Sequence, residues 1–321
     1  MTGLIDTLMD RTVVPGYTTV GYRLRRRLGT QGEIDVSMTG RSVLVTGATS
    51  GLGLAAATGF ARLGATVHLL ARDAARGERA RQQVDAAGPA TAHVHLADLS
   101  ALRSVRSFAR SFLESGHDLH VLVNNAGVLR GERELSEDGI ELTFATDVLG
   151  PFLLTNMLLA RLRECAPARV VNVSSGGMYT QRLDVGDLQF ARRDYDGPAA
   201  YASAKRALVI LTEIWAQRLA GSGVVVHSMH PGWAATPGVE TSLPRFHRVM
   251  GPLLRTPEEG ADTIVWLGAA PEPERDSGRF WHDRRPRPTH RVPWTRERPG
   301  DRGRLWQECC RLSGWDDTSR R

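Results

Sequence analysis

Lysine is almost missing from this chain: forty of its forty-one basic residues are arginine, and Lys205 is the single exception. A guanidinium cannot take over where a compact ammonium group has to fit, so the one position that escaped replacement is a functional suspect on composition alone. Cysteine is scarce too. Cys165 and the adjacent pair Cys309 and Cys310 supply no disulfide framework, and no His or Cys spacing has the pattern of a zinc site, so no metal is expected. No apolar run approaches the ~20 residues that span a bilayer. The first residues lack the charged start, apolar stretch and small-residue cleavage site of a secretory signal. A reducing cytoplasm is the expected setting.

Excess charge is modest and localised. The formal net charge is +6, but residues 271–321 hold thirteen arginines against nine acids, and residues 1–40 hold five against four. The body between them is nearly neutral. A basic end with acids interspersed reads as a solvated surface rather than a nucleic-acid groove. With 41% apolar and 24% charged residues, the composition is that of an ordinary globular protein.

Three regions are expected. Residues 1–40 read as an N-terminal appendage with an amphipathic start (Leu4, Ile5, Leu8, Met9) and an arginine cluster at 23–27. Such a segment either packs on the body or makes peripheral contact with a membrane surface. Residues 41–282 read as one dinucleotide-binding catalytic domain, and residues 283–321 as an extended tail rich in Arg and Pro. Within the domain, short β-branched runs at 42–46, 66–70, 93–96, 119–123, 169–173, 224–228 and 279–281 alternate with helix-length amphipathic stretches. The helices fall at 51–63, 74–87, 101–115, 139–164, 199–219 and 257–267. That alternation predicts an α/β fold, a doubly wound parallel sheet of Rossmann type with helices on both faces. Right-handed crossovers then bring every strand's carboxyl end to one edge, where ligands bind.

The string Thr46-Gly47-Ala48-Thr49-Ser50-Gly51-Leu52-Gly53 lies between the first strand and the first helix of the domain. Its glycines let the backbone turn tightly and approach a pyrophosphate, which then rests on the helix N-terminus. Tyr201 and Lys205 are four apart on one helix and so share a face. A free phenol, with a pKa of ~10, is a poor base at neutral pH. An ammonium beside it favours phenolate and makes proton exchange with a substrate oxygen feasible.

The spacing Gly-x-x-x-Gly-x-Gly, followed by Asn124-Asn125-Ala126-Gly127 and Tyr201-x-x-x-Lys205 in that order, resembles the short-chain dehydrogenase/reductase family over about residues 40–281. Finer strings, Ser174-Ser175-Gly176-Gly177-Met178 and Ser228-Met229-His230-Pro231-Gly232-Trp233, narrow the resemblance to one branch. The resemblance implies an oxidoreductase acting between an alcohol and a carbonyl, with Ser175, Tyr201 and Lys205 as its centre. Ser175, the second of its pair, would donate to the substrate oxygen. Ser174 is the competitor.

Thr46, Gly47, Ser50, Gly51, Leu52 and Gly53 would hold the cofactor's phosphates. Asp98 with Leu99 would meet the adenine, Asn124, Ala126 and Gly127 would line the adenosine side, and Pro231, Gly232 and Thr236 the nicotinamide end. Tyr201 and Lys205 would also touch the cofactor, the lysine through the nicotinamide ribose. NAD-type members carry an acid where this chain has Ala71. Arg72 follows and can neutralise a 2′-phosphate, so NADP(H) is favoured over NAD(H). Asp73 would cap the next helix.

One position departs from the family. Asp147 stands where an asparagine usually accepts a hydrogen bond linked to the lysine. A carboxylate still accepts that bond, raises the lysine's pKa and weakens its pull on Tyr201. A working enzyme and a catalytically idle cofactor-binding scaffold or redox-sensing regulator both stay open. Met178, Tyr179, Trp233, Leu243 and Phe246 are the expected substrate contacts, and their apolar character points to a lipophilic carbonyl or alcohol. The resemblance implies a homo-oligomer formed through the long helices at 139–164 and 199–219, whereas the two terminal segments could block that contact and leave a monomer.

Overall fold

Apolar runs too short for helices become the strands of one sheet. A computed structural model of the chain describes residues 12–29, 31–236, 240 and 248–317. Its strands are β1 (Ser42–Thr46), β2 (Thr66–Ala71), β3 (Ala92–Leu96), β4 (Val121–Asn124), β5 (Ala168–Val173), β6 (Val224–Met229), β7 (Phe280–His282) and β8 (Arg285–Arg287). They order as β3-β2-β1-β4-β5-β6-β7-β8, parallel throughout except for the final β7–β8 hairpin. The order reverses between β1 and β4, which opens a crevice at their carboxyl ends.

Strand alternation divides the core between the two faces. Leu44, Leu122 and Val170 point to one side with Phe152, Trp215 and Leu158, while Val43, Val45, Val123 and Val171 point to the other with Phe60 and Ile264. The helices are α1 (Val13–Tyr17), α2 (Thr19–Arg27), α3 (Gly51–Arg62), α4 (Ala74–Asp85), α5 (Leu102–Glu114), α6 (Gly150–Glu164), α7 (Gly197–Arg218), α8 (Pro257–Ala269) and α9 (Asp301–Ser313). Their starts follow local chemistry. Asp73 accepts the Arg76 N–H at 2.7 Å to cap α4, as its position after β2 suggests, and Asp196 caps α7 through Ala199 at 2.8 Å. Thr256 and Glu259 form a reciprocal capping box on α8 with Pro257 in the first turn.

Three expectations need correction. The helix read at 139–164 begins only at Leu142, where Glu141 accepts the N–H groups of Thr143 and Phe144, and a π turn at Ala145–Leu149 interrupts it before α6. The stretch Leu142–Glu164 is apolar and long enough to cross a bilayer, yet 89% of its most apolar window is buried inside the fold. The segment read as an extended tail folds back instead. α9 buries Leu305, Trp306 and Cys309, one helical face by their spacing, against Phe152 and Trp215, and Arg206 of α7 donates to the Thr289 carbonyl at 2.6 Å. Residues 12–29 likewise pack on the body, with Tyr17 and Tyr22 buried. The amphipathic start at Leu4 to Met9 lies outside the described residues.

Candidate active site

The turn after β1 is built around the side chain of Thr46. Its hydroxyl accepts the N–H groups of Asn125 and Ala126 at 2.9 and 3.0 Å, and the Asn125 amide donates back to the Thr46 carbonyl at 2.9 Å. The glycine turn and the Asn-Asn-Ala-Gly segment are thereby welded across the crevice. Gly47 has φ +64° and a side chain there would press on Ala126 at 2.9 Å, while a Cβ on Gly53 would sit 2.3 Å from the Gly47 carbonyl oxygen. Only glycine fits both positions. Ser50 caps α3 in extended geometry, with Gly51 and Leu52 opening the helix toward the crevice. A cradle of this shape at a helix N-terminus suits a phosphate group.

The remaining cofactor candidates divide. Asp98 accepts from the Ser100 backbone and hydroxyl at 2.8 and 2.7 Å, so its carboxylate shapes the turn after β3, and Leu99 is buried against Gly150. Arg72 is exposed just beyond β2. Asn124 turns its amide into the fold, onto Thr155 at 3.0 Å and Asn172 at 2.8 Å, so it braces β4 and β5 with its side chain instead of lining the crevice. Asn125 holds the glycine turn in its place. Gly127 lies against the Lys205–Asp147 pair, and Gly232 has φ +79° and packs on Arg255. Thr236 is described, and residues 237–239 lie outside the described residues.

At the carboxyl end of β5, the two serines separate as strand alternation dictates. Ser174 is buried and donates to the Lys205 carbonyl at 3.0 Å, whereas Ser175 stands beside the Tyr201 phenol, close enough for its hydroxyl to favour the phenolate, and accepts the Gly177 N–H at 3.2 Å. Lys205 lies behind the phenol, its Nζ 5.4 Å from the centre of the Tyr201 ring, donating to the Val173 carbonyl at 3.2 Å. Asp147, in the π turn, accepts the Val128 N–H at 2.8 Å with one oxygen and meets Lys205 Nζ at 3.0 Å with the other.

The electrostatics follow from this packing. Burial alone would lower Lys205, but the Asp147 carboxylate and the Tyr201 phenol outweigh it and hold the ammonium above its usual value. Burial pushes Tyr201 up, Lys205 pulls it down, Asp147 pushes it up again, and the Ser175 side chain pulls it down; the net direction is upward. The phenol is therefore neutral until another positive charge arrives beside it.

Of the expected substrate contacts, Met178 is wholly buried against Val209 and Phe280 and belongs to the core. Tyr179 donates its hydroxyl to the Pro288 carbonyl at 2.7 Å, which ties it to the C-terminal segment. Trp233 is half-buried beside Tyr17, with ring centres 5.9 Å apart. Leu243 and Phe246 lie outside the described residues.

A buried ionic knot behind the Pro231-Gly232 turn carries no sequence motif. Asp283 binds Arg255 through two contacts, at 2.6 and 2.8 Å, and also pairs with Arg25. Arg255 reaches on to the Pro231 carbonyl at 3.2 Å.

The profile of the family described as short chain dehydrogenase matches residues 41–245. Dehydrogenase/reductase SDR family member 12 of Bos taurus is 43% identical over 276 residues, 85% of this chain and 86% of that protein. Retinol dehydrogenase 12 of Bos taurus is 38% identical over 286 residues, 87% and 88% of the two chains. Among solved structures, the Pseudomonas aeruginosa RhlG/NADP active-site complex aligns with a TM-score of 0.64 at 26% identity, covering 78% of this chain and 96% of that one.

Proposed function

The chain belongs to the short-chain dehydrogenase/reductase family, a family of oxidoreductases, and from that premise we propose that it interconverts a lipophilic ketone or aldehyde and its alcohol with NADP(H). The observation that carries the reading is the placement of the Tyr201 phenol between the Ser175 side and the chain's one lysine, whose Nζ lies 5.4 Å from the ring centre. The glycine cradle, closed to any side chain at Gly47 and Gly53, fits a dinucleotide's phosphates. When bound there, the nicotinamide supplies or accepts the hydride. In reduction, Tyr201 gives its hydroxyl proton to the substrate oxygen while Ser175 donates a hydrogen bond to the same atom. In oxidation Tyr201 takes the proton back, and Lys205 stabilises the phenolate that does so.

The preference for NADP(H) draws support from Arg72, an exposed cation at the end of β2, and from Asp73, whose carboxylate is occupied as a helix cap. The lipophilic substrate class draws support from Trp233 and from the retinol dehydrogenase relatives. A second reading, a cofactor-holding protein without turnover, draws on the neutralisation of Lys205 by Asp147.

A panel of long-chain, aromatic and polyene aldehydes and ketones, followed at the reduced-nicotinamide absorbance band with both cofactors, separates the readings. Turnover is expected with NADPH, and Tyr201→Phe is expected to lower it by about 10²- to 10⁴-fold with NADPH binding retained. Arg72→Ala is expected to weaken NADPH about tenfold more than NADH. Tight NADPH binding with no turnover across the panel would favour the idle scaffold. Full activity in Tyr201→Phe rules out the mechanism.

A further inference from the structure

The segment comprising α1 and α2 packs against the loop after the Pro231-Gly232 turn and against Gly176, next to Ser175. The Gly16 carbonyl accepts from Arg25 at 3.0 Å and from Arg255 at 3.1 Å, and His282 Nε2 lies 3.2 Å from it. The next carbonyl, that of Tyr17, accepts the Trp233 N–H at 2.7 Å. Two successive peptide groups from one end of the chain are thus bonded to the loop that follows the Pro231-Gly232 turn and to the ionic knot behind it.

The Tyr17 side chain completes the arrangement. Its ring is 3% exposed and stands edge-to-face to His230, His282 and Trp233, with ring centres 4.4, 5.1 and 5.9 Å away. Just beyond it is Gly176, the residue after Ser175. A Cβ on Gly176 would lie 2.8 Å from Tyr17 Cε2 and 2.9 Å from His230 Nε2, so both rings press on that backbone. His230 also accepts the Gly176 N–H on Nδ1 at 3.1 Å. Burial holds the His230 imidazole well below its ordinary range, which keeps that nitrogen free to accept. The backbone beside Ser175 is therefore fixed from below by His230 and sideways by Tyr17.

We propose that Tyr17 is a positioning residue, wedged between Gly176 and Trp233, that aims the Ser175 hydroxyl at Tyr201 and the substrate oxygen. The inference rests on the reading above, in which Ser175 acts on that oxygen. A displacement of about 1 Å at such a corner can lower turnover about 10²-fold without touching the reacting groups. The effect belongs to the bound state, so it is read in kcat; the phosphate cradle is shaped by Thr46 and Asn125, so NADPH affinity is expected to change little.

The test uses the full chain in four forms: wild type, Tyr17→Phe, Tyr17→Leu, and Val20→Ser on the exposed face of α2 as a control. Each is assayed for kcat and KM with the best carbonyl of the panel, for NADPH binding by nicotinamide fluorescence, and for melting temperature. Tyr17→Leu is expected to lose about 10- to 100-fold in kcat, with NADPH affinity held within about threefold. Tyr17→Phe keeps the wedge and is expected to restore kcat to within about threefold of wild type, and Val20→Ser to match wild type. A folded Tyr17→Leu protein with wild-type kcat overturns the proposal, and so does one whose loss appears in NADPH affinity alone.

Should Tyr17→Leu not fold, Gly176→Ala drives a methyl group into the same ring from the serine side. It is expected to cut kcat with NADPH binding retained, and an unchanged kcat there overturns the proposal. A wild-type chain without turnover removes the enzymatic reading and this inference together, whereas an active wild type with silent variants removes the inference alone.

Discussion

Among the described residues, the enclosed carboxylates Asp147 and Asp283 each lie against buried basic side chains, and they are used in different ways. Asp147 faces one ammonium, Lys205, and the pair lies behind the phenol proposed to exchange a proton. Asp283 sits between two guanidiniums, Arg255 and Arg25, with His282 alongside. Burial opposes its ionisation, yet Arg255, His282 and Arg25 together hold its carboxyl far below the usual carboxylate range. One carboxylate tempers the charge beside the Tyr201 phenol, and the other joins residues 12–27, the Pro231-Gly232 turn and the β7–β8 hairpin. The difference lies in the partner. An ammonium is a point charge whose field a neighbouring carboxylate readily cancels, while guanidiniums carry donors enough to serve an acid and several carbonyls at once.

The sharpest way to break this contrast is Asp283→Asn, which leaves two buried guanidiniums without their counter-charge. A loss of about 3–5 kcal/mol in unfolding free energy is expected, measured by denaturant titration. A loss under about 1 kcal/mol would mean that the knot does not hold the segments together.

Asp147→Asn should act on chemistry more than on stability. Removing the carboxylate frees the field of Lys205 to act on Tyr201, whose pKa then falls. Alcohol oxidation requires the phenolate and rises with pH through that pKa, so the rising limb of kcat/KM against pH is expected to move to lower pH. A limb that stays in place would mean that Lys205 is not tempered by Asp147.

The smallest effect concerns a histidine cluster, with His68 buried and the others partly buried, that has no counter-charge of this kind. His68, His93, His95 and His117 gather on β2, β3 and the loop after α5, His68 Nδ1 lying 2.9 Å from His95 Nε2. Burial, then mutual repulsion, lowers His68 to about 3 and His95 to about 4. Asp85 on α4 opposes this, but only at His93. Folded histidines with depressed values bind fewer protons than unfolded ones, whose pKa is about 6.5. Stability is accordingly full above that pH and declines as pH falls toward 3 to 4. Thermal unfolding from pH 7 to pH 4 should show the decline, and His68→Phe should shrink it. An equal slope in that variant would remove the cluster as its source.

What could be read from the residues alone follows the range over which each feature is encoded. The strands, the glycine turn and the Tyr201–Lys205 pair are local strings, and even the two serines were separable by strand alternation. The knot was not visible, because Arg25, Arg255 and Asp283 are ordinary surface residue types, 230 and 28 positions apart, and the acceptor that the two arginines share besides Asp283 is the Gly16 backbone carbonyl. Asn125 was within reach, being part of a motif already noted. Reading residues 283–321 as extended gave their Arg and Pro content more weight than the apolar spacing of Leu305, Trp306, Cys309 and Leu312, which marks a helical face.

That last helix has a further consequence. α9 lays Trp306 against Phe152 and Trp215, while Arg218 covers its indole at 4.0 Å and pairs with Asp317 just beyond the helix. This stretch of α6 and α7 is already roofed from within the same polypeptide. A second copy approaching over that surface would first have to peel the roof away and expose a tryptophan and a leucine to water. Shortening the chain before Asp301 would uncover a ready-made sticky patch.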